Sequence, residues 1–153
     1  MSRLGLRMNT VNASVSQYIG LDFVSLAVFN DTLIGGGTSG IFTFSGDTDN
    51  GTDISSDFKT FSTDLGVPNE KRMRRLIIFG QMEGNLEVYP VVEDDEGEVH
   101  TIDAEESMFQ RKYVVPVNRD NQGMSVGVRI ANKNSSYFLI DSIDVLPVIL
   151  GTR

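Results

Sequence analysis

Short stretches of alternating apolar and polar residues constrain the fold of this chain more than any other feature of its sequence. In the segment MSVGVRIAN, every second residue from Met124 to Ile130 is apolar, and the residues between them are small or polar. A period of two residues is the pattern of a β-strand with one buried face. Apolar spacing of three and four is absent, and the best helical segment, residues 103–110, is too short to form a helix alone. The sequence therefore predicts strands almost throughout.

Turn-forming residues separate these strands. Asn30-Asp31 and the glycine-rich segment 35–40 predict two hairpin turns, and segments such as MEGN and EDDEGE predict turns later in the chain. Short strands without crossover helices predict antiparallel pairing. The composition changes at residues 46–53. We therefore expect N-terminal β-hairpins or an arm in residues 1–50, followed in residues 51–153 by a jelly-roll-like antiparallel β-sandwich, in an all-β protein.

The bulk composition narrows the possible partners. The chain has 153 residues, no cysteine and a formal net charge of −8. The negative charge repels nucleic acid and anionic lipid, so we expect neither as a general partner. The lack of cysteine excludes a disulfide framework and a thiolate metal site. No apolar run approaches the roughly 20 residues of a membrane span, and the N-terminus lacks the apolar core of a signal peptide.

Two motifs that resemble cofactor-binding or catalytic signatures are better explained as parts of strands and turns. The segment GGGTSG at residues 35–40 satisfies G-x-G-x-x-G, but a strand-like segment follows it instead of the helix that would bind a phosphate. Ser125 satisfies G-x-S-x-G within a strand pattern, and His100, the only histidine, would have to be its base. No pair of carboxylates stands out as catalytic. The sequence therefore predicts no catalytic residue, no cofactor and no enzymatic activity.

An acidic turn at residues 47–53 offers oxygen ligands of the kind that a hard cation prefers. Asp47, Asp49 and Asp53 carry the carboxylates, but Gly51 arrives one position too early for an EF-hand loop. Asn50-Gly51 is also a strong turn signal by itself. We predict no metal site here, with a bound cation as the alternative.

The segment NEKRMRRLIIFG concentrates positive charge in an acidic chain, through Lys71, Arg72, Arg74 and Arg75. Strict strand alternation places these residues on both faces, which predicts a strand end projecting beyond a core that begins near Leu76. Such an end is either a solvated edge that discourages strand addition or a docking site for carboxylates. Phosphate binding is disfavoured because no aromatic residues are interleaved with the basic ones.

A carboxylate-rich surface is available in the chain itself, in the segment EDDEGE. In a homo-oligomer, the basic residues of one copy can contact the acidic residues of the next. The candidate interface residues are therefore Lys71, Arg72, Arg74, Arg75, Glu93, Asp94, Asp95, Glu96 and Glu98. The alternative for the acidic segment is a solvated hairpin tip.

The order of the motifs from Val24 to Leu150 resembles a family of virion structural proteins of tailed bacteriophages. In that family, a GI(Y/F)…GD.DDG..I…F segment leads into a KR.RR strand and a G.L.V.V..D.GE hairpin. This chain has GIFTFSGDTDNGTDI, KRMRR and GNLEVYPVVEDDEGE in the same order. Its ending, IDSIDVLPVIL, is similar to the family's IDSIE.LPV.L terminus. The aromatic-rich GRG.KGRYW segment of many members is replaced here by NRDNQGMSVGV, so contacts made by those aromatics are not expected.

The resemblance implies a non-enzymatic structural component of a virion, associated with the tail and assembling in multiple copies. Its partners would be copies of itself and other virion proteins, and it would be made in the host cytoplasm. Two alternatives are a head decoration or cement protein and a module that binds host-surface glycans. The glycan alternative is the weaker one because such modules present aromatic platforms, and the chain has no tryptophan and four tyrosines.

Overall fold

The chain consists of two compact units, Met1–Gly46 and Asp47–Arg153. The division falls within the 46–53 segment where the composition changes, slightly before the expected boundary at residue 50. A computed structural model describes residues 4–8, 10–11, 15–19, 23–45, 48–49, 51–103, 107–134 and 136–151.

The first unit contains two antiparallel sheets, a two-stranded hairpin and a three-stranded meander. Asn30 and Asp31 have φ angles of 46° and 59°, so the predicted turn between the third and fourth strands has both central residues in the left-handed region. Gly37 pairs with Gly40 across the glycine-rich turn. The strands are β1 (Leu4–Met8), β2 (Val15–Ile19), β3 (Phe23–Phe29), β4 (Thr32–Gly37) and β5 (Gly40–Thr43).

The second unit contains a short hairpin and two larger sheets. The hairpin strands are β6 (Thr48–Asp49) and β7 (Thr52–Asp53). The remaining strands are β8 (Asp57–Lys59), β9 (Lys71–Glu83), β10 (Leu86–Val92), β11 (Asp95–Glu96), β12 (His100–Ile102), β13 (Ser107–Pro116), β14 (Gln122–Gly123), β15 (Val126–Asn132) and β16 (Tyr137–Ile149).

Each of the two larger sheets is built around long strands with antiparallel neighbours. In the first sheet, β15 lies between β8 and β10, and the other edge of β10 pairs with β11 and β12. In the second sheet, β9 pairs with β16 on one edge and with β13 and β14 on the other. The predicted all-β antiparallel sandwich preceded by hairpins is therefore confirmed.

The hydrophobic core lies between these two sheets. Phe58 of β8 and Phe138 of β16 join the sheets on one side, with ring centroids 6.3 Å apart. Complete burial of a valine, leucine, isoleucine or methionine side chain stabilises a fold by about 1.5–3 kcal/mol. The buried core residues are Met73, Leu76, Ile78, Met82, Leu86, Val88, Val115, Val126, Val128 and Ile130.

A β-bulge at Arg74 interrupts the alternation of β9. Leu146 of β16 pairs with Arg75, and the next residue, Pro147, pairs with Met73, so Arg74 is an extra residue in β9. The bulge leaves Arg74 and Arg75 both exposed, whereas regular alternation would place them on opposite faces.

The bulge also moves the beginning of the core. Met73 is fully buried on the N-terminal side of the bulge, and Leu76 is fully buried on the other side. The prediction of a core that begins near Leu76 is therefore wrong, because the sequence period alone does not reveal a bulge.

One local prediction is also corrected. MEGN was expected to return the chain as a hairpin, but β9 and β10 belong to different sheets, and Gly84, with φ at 107°, turns the chain from one sheet to the other. Residues 107–110 of the segment with helical potential begin β13. Residues 104–106 lie outside the described part of the chain.

Substitution of Gly80 tests the close approach of β9 and β16. A Cβ atom at Gly80 would lie 2.2 Å from the carbonyl oxygen of Leu139. Gly80 pairs with Ile140, just before the other register shift of β16, between Ile140 and Ser142. We expect Gly80→Ala to lower the free energy of unfolding by about 1–3 kcal/mol, because the backbone must move. Chemical denaturation measures the change. The control is Gly151→Ala, whose Cβ meets nothing within 4 Å, and equal stability of the two variants would contradict the close approach of the two strands.

Candidate assembly interface

Lys71 is the largest departure from the predicted interface, because it is fully buried. Its ammonium group donates hydrogen bonds to the carbonyl oxygens of Val67 at 2.5 Å, Asn69 at 2.7 Å and Met124 at 2.8 Å. These three acceptors match the three donors of a lysine ammonium group. Lys71 therefore holds together two segments of its own chain and is not available to a partner.

The basic end of β9 does not project from the sheet. Lys71 pairs with Gly123 of β14 on one edge and with Ile149 of β16 on the other. The prediction of a projecting strand end is wrong because strands distant in the sequence pair with both edges. The strand end is part of the sandwich.

Three arginines of the predicted cluster remain at the surface. Arg74 and Arg75 are exposed, and Arg72 is half-buried. The loop after β13 crosses the bulge, where the amide of Val117 donates to the Arg74 carbonyl at 3.2 Å, and this loop also exposes Arg119. No carboxylate within the described ranges forms an ion pair with any of these arginines. The surface around the bulge is therefore basic, and no carboxylate of the described residues neutralises its arginines.

The predicted acidic residues lie on the β10–β11 turn and just after it. Glu93 and Asp94 have φ angles of 52° and 71° and form the tight turn itself. Glu93 Oε1 accepts a hydrogen bond from the amide of Met124 at 3.0 Å. Asp94 Oδ1 accepts from the Ser62 hydroxyl at 2.7 Å, and the Asp94 carbonyl accepts from Lys59 Nζ at 3.0 Å. The turn is thus attached to its own chain on two sides.

Glu96 is part of an ionic cluster around Arg129. The guanidinium donates to Glu96 Oε2 at 3.0 Å and to Asp57 Oδ2 at 2.9 Å, and it lies 5.0 Å from the centroid of the Tyr89 ring. The hydrogen bond to Asp57 is the main cause of a raised pKa at Arg129. The pKa of Tyr89 is also raised, chiefly because its hydroxyl donates to Glu87. Glu96 therefore connects β11 to β15 within one chain.

The last two predicted acidic residues differ from each other. The Glu98 carboxylate accepts a hydrogen bond from the Asn118 side chain. Asp95 is exposed, and no described residue forms a hydrogen bond or an ion pair with its side chain. Of the five acidic candidates, Asp95 is therefore the one with its carboxylate free for a partner.

The basic and acidic candidates meet inside one chain at the backbone of Met124. Its carbonyl accepts from Lys71 Nζ, and its amide donates to Glu93 Oε1. A Cβ atom on the preceding Gly123 would lie 2.5 Å from Val92 Cγ1, so this crossing is also tightly packed. Lys71 and Glu93, which were expected to bind a second copy, therefore both bind the backbone of their own chain.

The remaining sequence candidates are only partly covered by the structure. Asp47 and Asn50 lie outside the described residues, as does the side chain of Asp49. In the described ranges, no three histidine or carboxylate side chains are placed to hold a metal ion. The same ranges contain no helix long and apolar enough to cross a membrane. Ser125 lies just before β15, and His100 lies in β12.

Comparison with known proteins assigns no family, because no protein-family model, no curated protein and no solved structure matches the chain. The resemblance to virion proteins of tailed bacteriophages therefore stays a prediction from the order of the motifs.

Replacement of Lys71 tests whether its ammonium group stabilises the fold. We expect Lys71→Met to lower the free energy of unfolding by about 1–3 kcal/mol, because three part-buried backbone carbonyl groups lose their hydrogen-bond donor. Thermal or chemical denaturation monitored by circular dichroism measures the loss. Arg74→Met is the matched control and should change stability by no more than about 0.5 kcal/mol, because Arg74 is exposed. If the two variants have the same stability, the structural role of Lys71 is refuted.

Proposed function

We propose that this protein is a non-enzymatic structural component of a bacteriophage virion, associated with the tail and assembled in multiple copies through protein–protein contacts. It is made in the host cytoplasm and takes its place in the virion beside copies of itself and other virion proteins. The observation that carries the proposal is the exposed apolar surface of the first unit, Met1–Gly46.

The three-stranded sheet of this unit exposes apolar side chains on both faces. Leu26 and Val28 are 61% and 69% exposed on one face. Phe29 and Ile41 are 66% and 79% exposed on the other. Concentrated exposure of this kind marks a surface that contacts another protein. A sheet with two apolar faces needs contacts beyond its own three strands.

An aromatic cluster covers only part of this surface. The Phe23 ring lies 5.7 Å from the ring of Phe42 and 5.1 Å from the ring of Phe44, measured between centroids. The ring lies against Gly35, where a Cβ atom would be 2.7 Å from Phe23 Cδ1. This glycine allows the cluster to form. The exposed residues of the same sheet are left for contacts in an assembly.

Burial of these side chains contributes favourable free energy to assembly. Each large apolar side chain that becomes buried contributes about 1.5–3 kcal/mol. Multiple copies related by symmetry repeat the same contacts, as expected of a ring, a shell or a tail part. The motif order shared with tailed-phage virion proteins supports the virion as the place of assembly.

Charge on the apolar sheet should prevent assembly without unfolding the protein. We expect the wild-type chain to sediment as an oligomer at micromolar concentration and the double variant Leu26→Glu, Val28→Glu to sediment as a monomer. The introduced carboxylates would have to be buried without partners, which is unfavourable. Sedimentation velocity measures the state of association.

Thr38→Glu with Ser39→Glu is the matched control, because both residues are exposed and polar and lie in the turn between β4 and β5 of the same unit. This variant should still assemble, and circular dichroism should show the same β-sheet content for all three proteins. A wild-type chain that stays monomeric at high concentration would refute self-assembly. Absence of the protein from purified phage particles, checked by mass spectrometry, would refute the virion proposal.

The exposed arginines at the bulge provide a second test of assembly. We expect Arg74→Glu with Arg75→Glu to block or weaken assembly without unfolding the monomer, because both side chains are exposed and can bind carboxylates of a neighbour. The effect is measured by sedimentation at moderate salt. Lys112→Glu with Lys133→Glu changes the charge equally and should have less effect. Intact assembly of the Arg74, Arg75 double variant would remove these arginines from the interface.

A further inference from the structure

Strand β16 (Tyr137–Ile149) has one edge without a partner strand. Within the described residues it pairs with β9 alone, and no other hydrogen bond reaches the backbone of residues 137–149. Both β9 and β16 have 13 residues, but β9 is paired on both edges, so β16 offers the longest free edge in this part of the chain. A free edge of this kind is a site where another strand can be added.

A hydrogen bond at the end of β16 shows which of its residues face the free edge. In an antiparallel ladder, the N–H and C=O groups of one residue point to the same side, and this side alternates along the strand. The amide of Leu150 donates to the carbonyl oxygen of Glu70, 2.8 Å away, immediately before β9 begins. The even-numbered residues from 142 to 150 therefore face β9. The residues whose backbone groups face the free edge are Ile143, Val145, Pro147 and Ile149.

The position of Pro147 agrees with this assignment. Its partner Met73 donates its amide to the carbonyl oxygen of Asn121 at 2.9 Å, and Asn121 immediately precedes β14, on the other edge of β9. The backbone of Pro147 therefore faces away from β9, where its missing N–H group costs the ladder nothing. The extra residue of the bulge, Arg74, belongs to β9, so the alternation of β16 continues past it.

Only one antiparallel register between two copies of β16 uses all four residues of the free edge. With Leu146 on a two-fold axis, Ile143 pairs with Ile149 of the second copy, and Val145 pairs with its Pro147. An axis at any other residue leaves edge residues of each copy without a partner. An axis at Asp144 would also place two like charges directly opposite each other, which is unfavourable.

The apolar side chains match on both faces of the sheet in this register. Ile143 and Val145 are half-buried and pack against the core, because the sheet ends at β16. Ile149 and Pro147 of the second copy would extend the apolar layer beyond this end. On the outer face, Leu146 is 42% exposed, and it would contact Leu146 of the second copy.

The charged side chains of the two copies are complementary as well. Asp144 would lie opposite Val148 of the second copy, and Val148 is paired with Arg72 of β9 on the same face. Two strand spacings then separate Asp144 from that Arg72, about 10 Å between Cα atoms, which the two side chains can span. Neither residue forms an ion pair within the described ranges of its own chain. The two-fold axis makes this contact twice.

We propose that β16 of one copy pairs with β16 of a second copy along residues 143–149, with Leu146 on the two-fold axis. The inference rests on the proposed self-assembly and identifies one of its contacts. Both copies use the same surface, so the contact is isologous and closes after two copies. It is smaller than a stable protein–protein interface, so it forms in assemblies that the first unit holds together and not between free chains.

A cysteine at the axis tests the register, because the chain has no cysteine of its own. Two copies of Leu146 would form a pair without hydrogen bonds, with Cα atoms about 4.5 Å apart, which a disulfide can bridge. We expect Leu146→Cys to oxidise to a covalent dimer about a hundredfold faster in the assembled chain than in the unassembled Leu26→Glu, Val28→Glu variant. Assembly raises the effective concentration of the second cysteine from about 10 μM to about 1 mM. Non-reducing electrophoresis measures the rate.

Asp144→Cys and Val148→Cys are the matched controls, because both positions lie on the same face of β16 as Leu146. Each control alone should give only background cross-linking, since two copies of either residue would lie about 13 Å apart along the strands. An equal mixture of the two should give a mixed covalent dimer, because Asp144 lies opposite Val148 of the second copy. Sedimentation velocity confirms that each variant still assembles.

The possible outcomes separate this contact from the proposed function. Intact assembly without the Leu146 product and without the mixed product would overturn the contact and leave the proposed function standing. Absence of any assembly would overturn both. Rapid cross-linking of Asp144→Cys alone would move the axis and overturn the register. Slower amide exchange at Val145 and Ile149 on assembly, without any covalent product, would mean that a different strand occupies the edge, which also overturns the proposal.

Discussion

The ladder between β9 and β16 is the interaction on which the rest of the second unit depends. Both strands have 13 residues, and they pair from Lys71 with Ile149 at one end to Glu83 with Tyr137 at the other. The other edge of β9 is covered by β13 and β14, so a single strand organises one whole sheet. Because a slip of one residue moves every side chain to the opposite face, this register decides which side chains form the core.

Much of the fold follows from local sequence patterns, but the connections between strands do not. The alternation after Met124 and the turn at Asn30-Asp31 identify strands and a hairpin correctly, because both signals involve only neighbouring residues. The turn at Gly84 shows the limit of such signals. A tight turn predicts that the chain reverses, but whether the second strand pairs with the first or joins the opposite sheet depends on distant strands. The bulge at Arg74 is hidden for the same reason, since its partner segment lies in β16.

The charged residues show a similar limit at the candidate interface. Lys71 and Arg74 look equivalent in the sequence, yet one is buried against backbone carbonyls and the other is exposed. One of the three carbonyl acceptors of Lys71 belongs to Met124, which is 53 positions away and which no local pattern connects to it. The sequence locates the basic and acidic groups but does not show that Glu93 and Lys71 are attached to one backbone segment. The exposed apolar sheet of the first unit becomes visible only when the pairing of its strands is known.

The bulge at Arg74 also gives β9 one residue whose presence or absence does not change which side chains face the core. On each side of the bulge every second residue faces the core. Across the bulge this alternation is shifted by one position, so that Met73 and Leu76 are both buried. A chain without Arg74 would alternate regularly and keep the same side chains inside, whereas loss of a residue elsewhere in the strand would turn the inner face outward. A surface arginine can therefore be gained or lost here in evolution without repacking the interior. The surface charge at this position and the core can change separately, although both belong to the same strand.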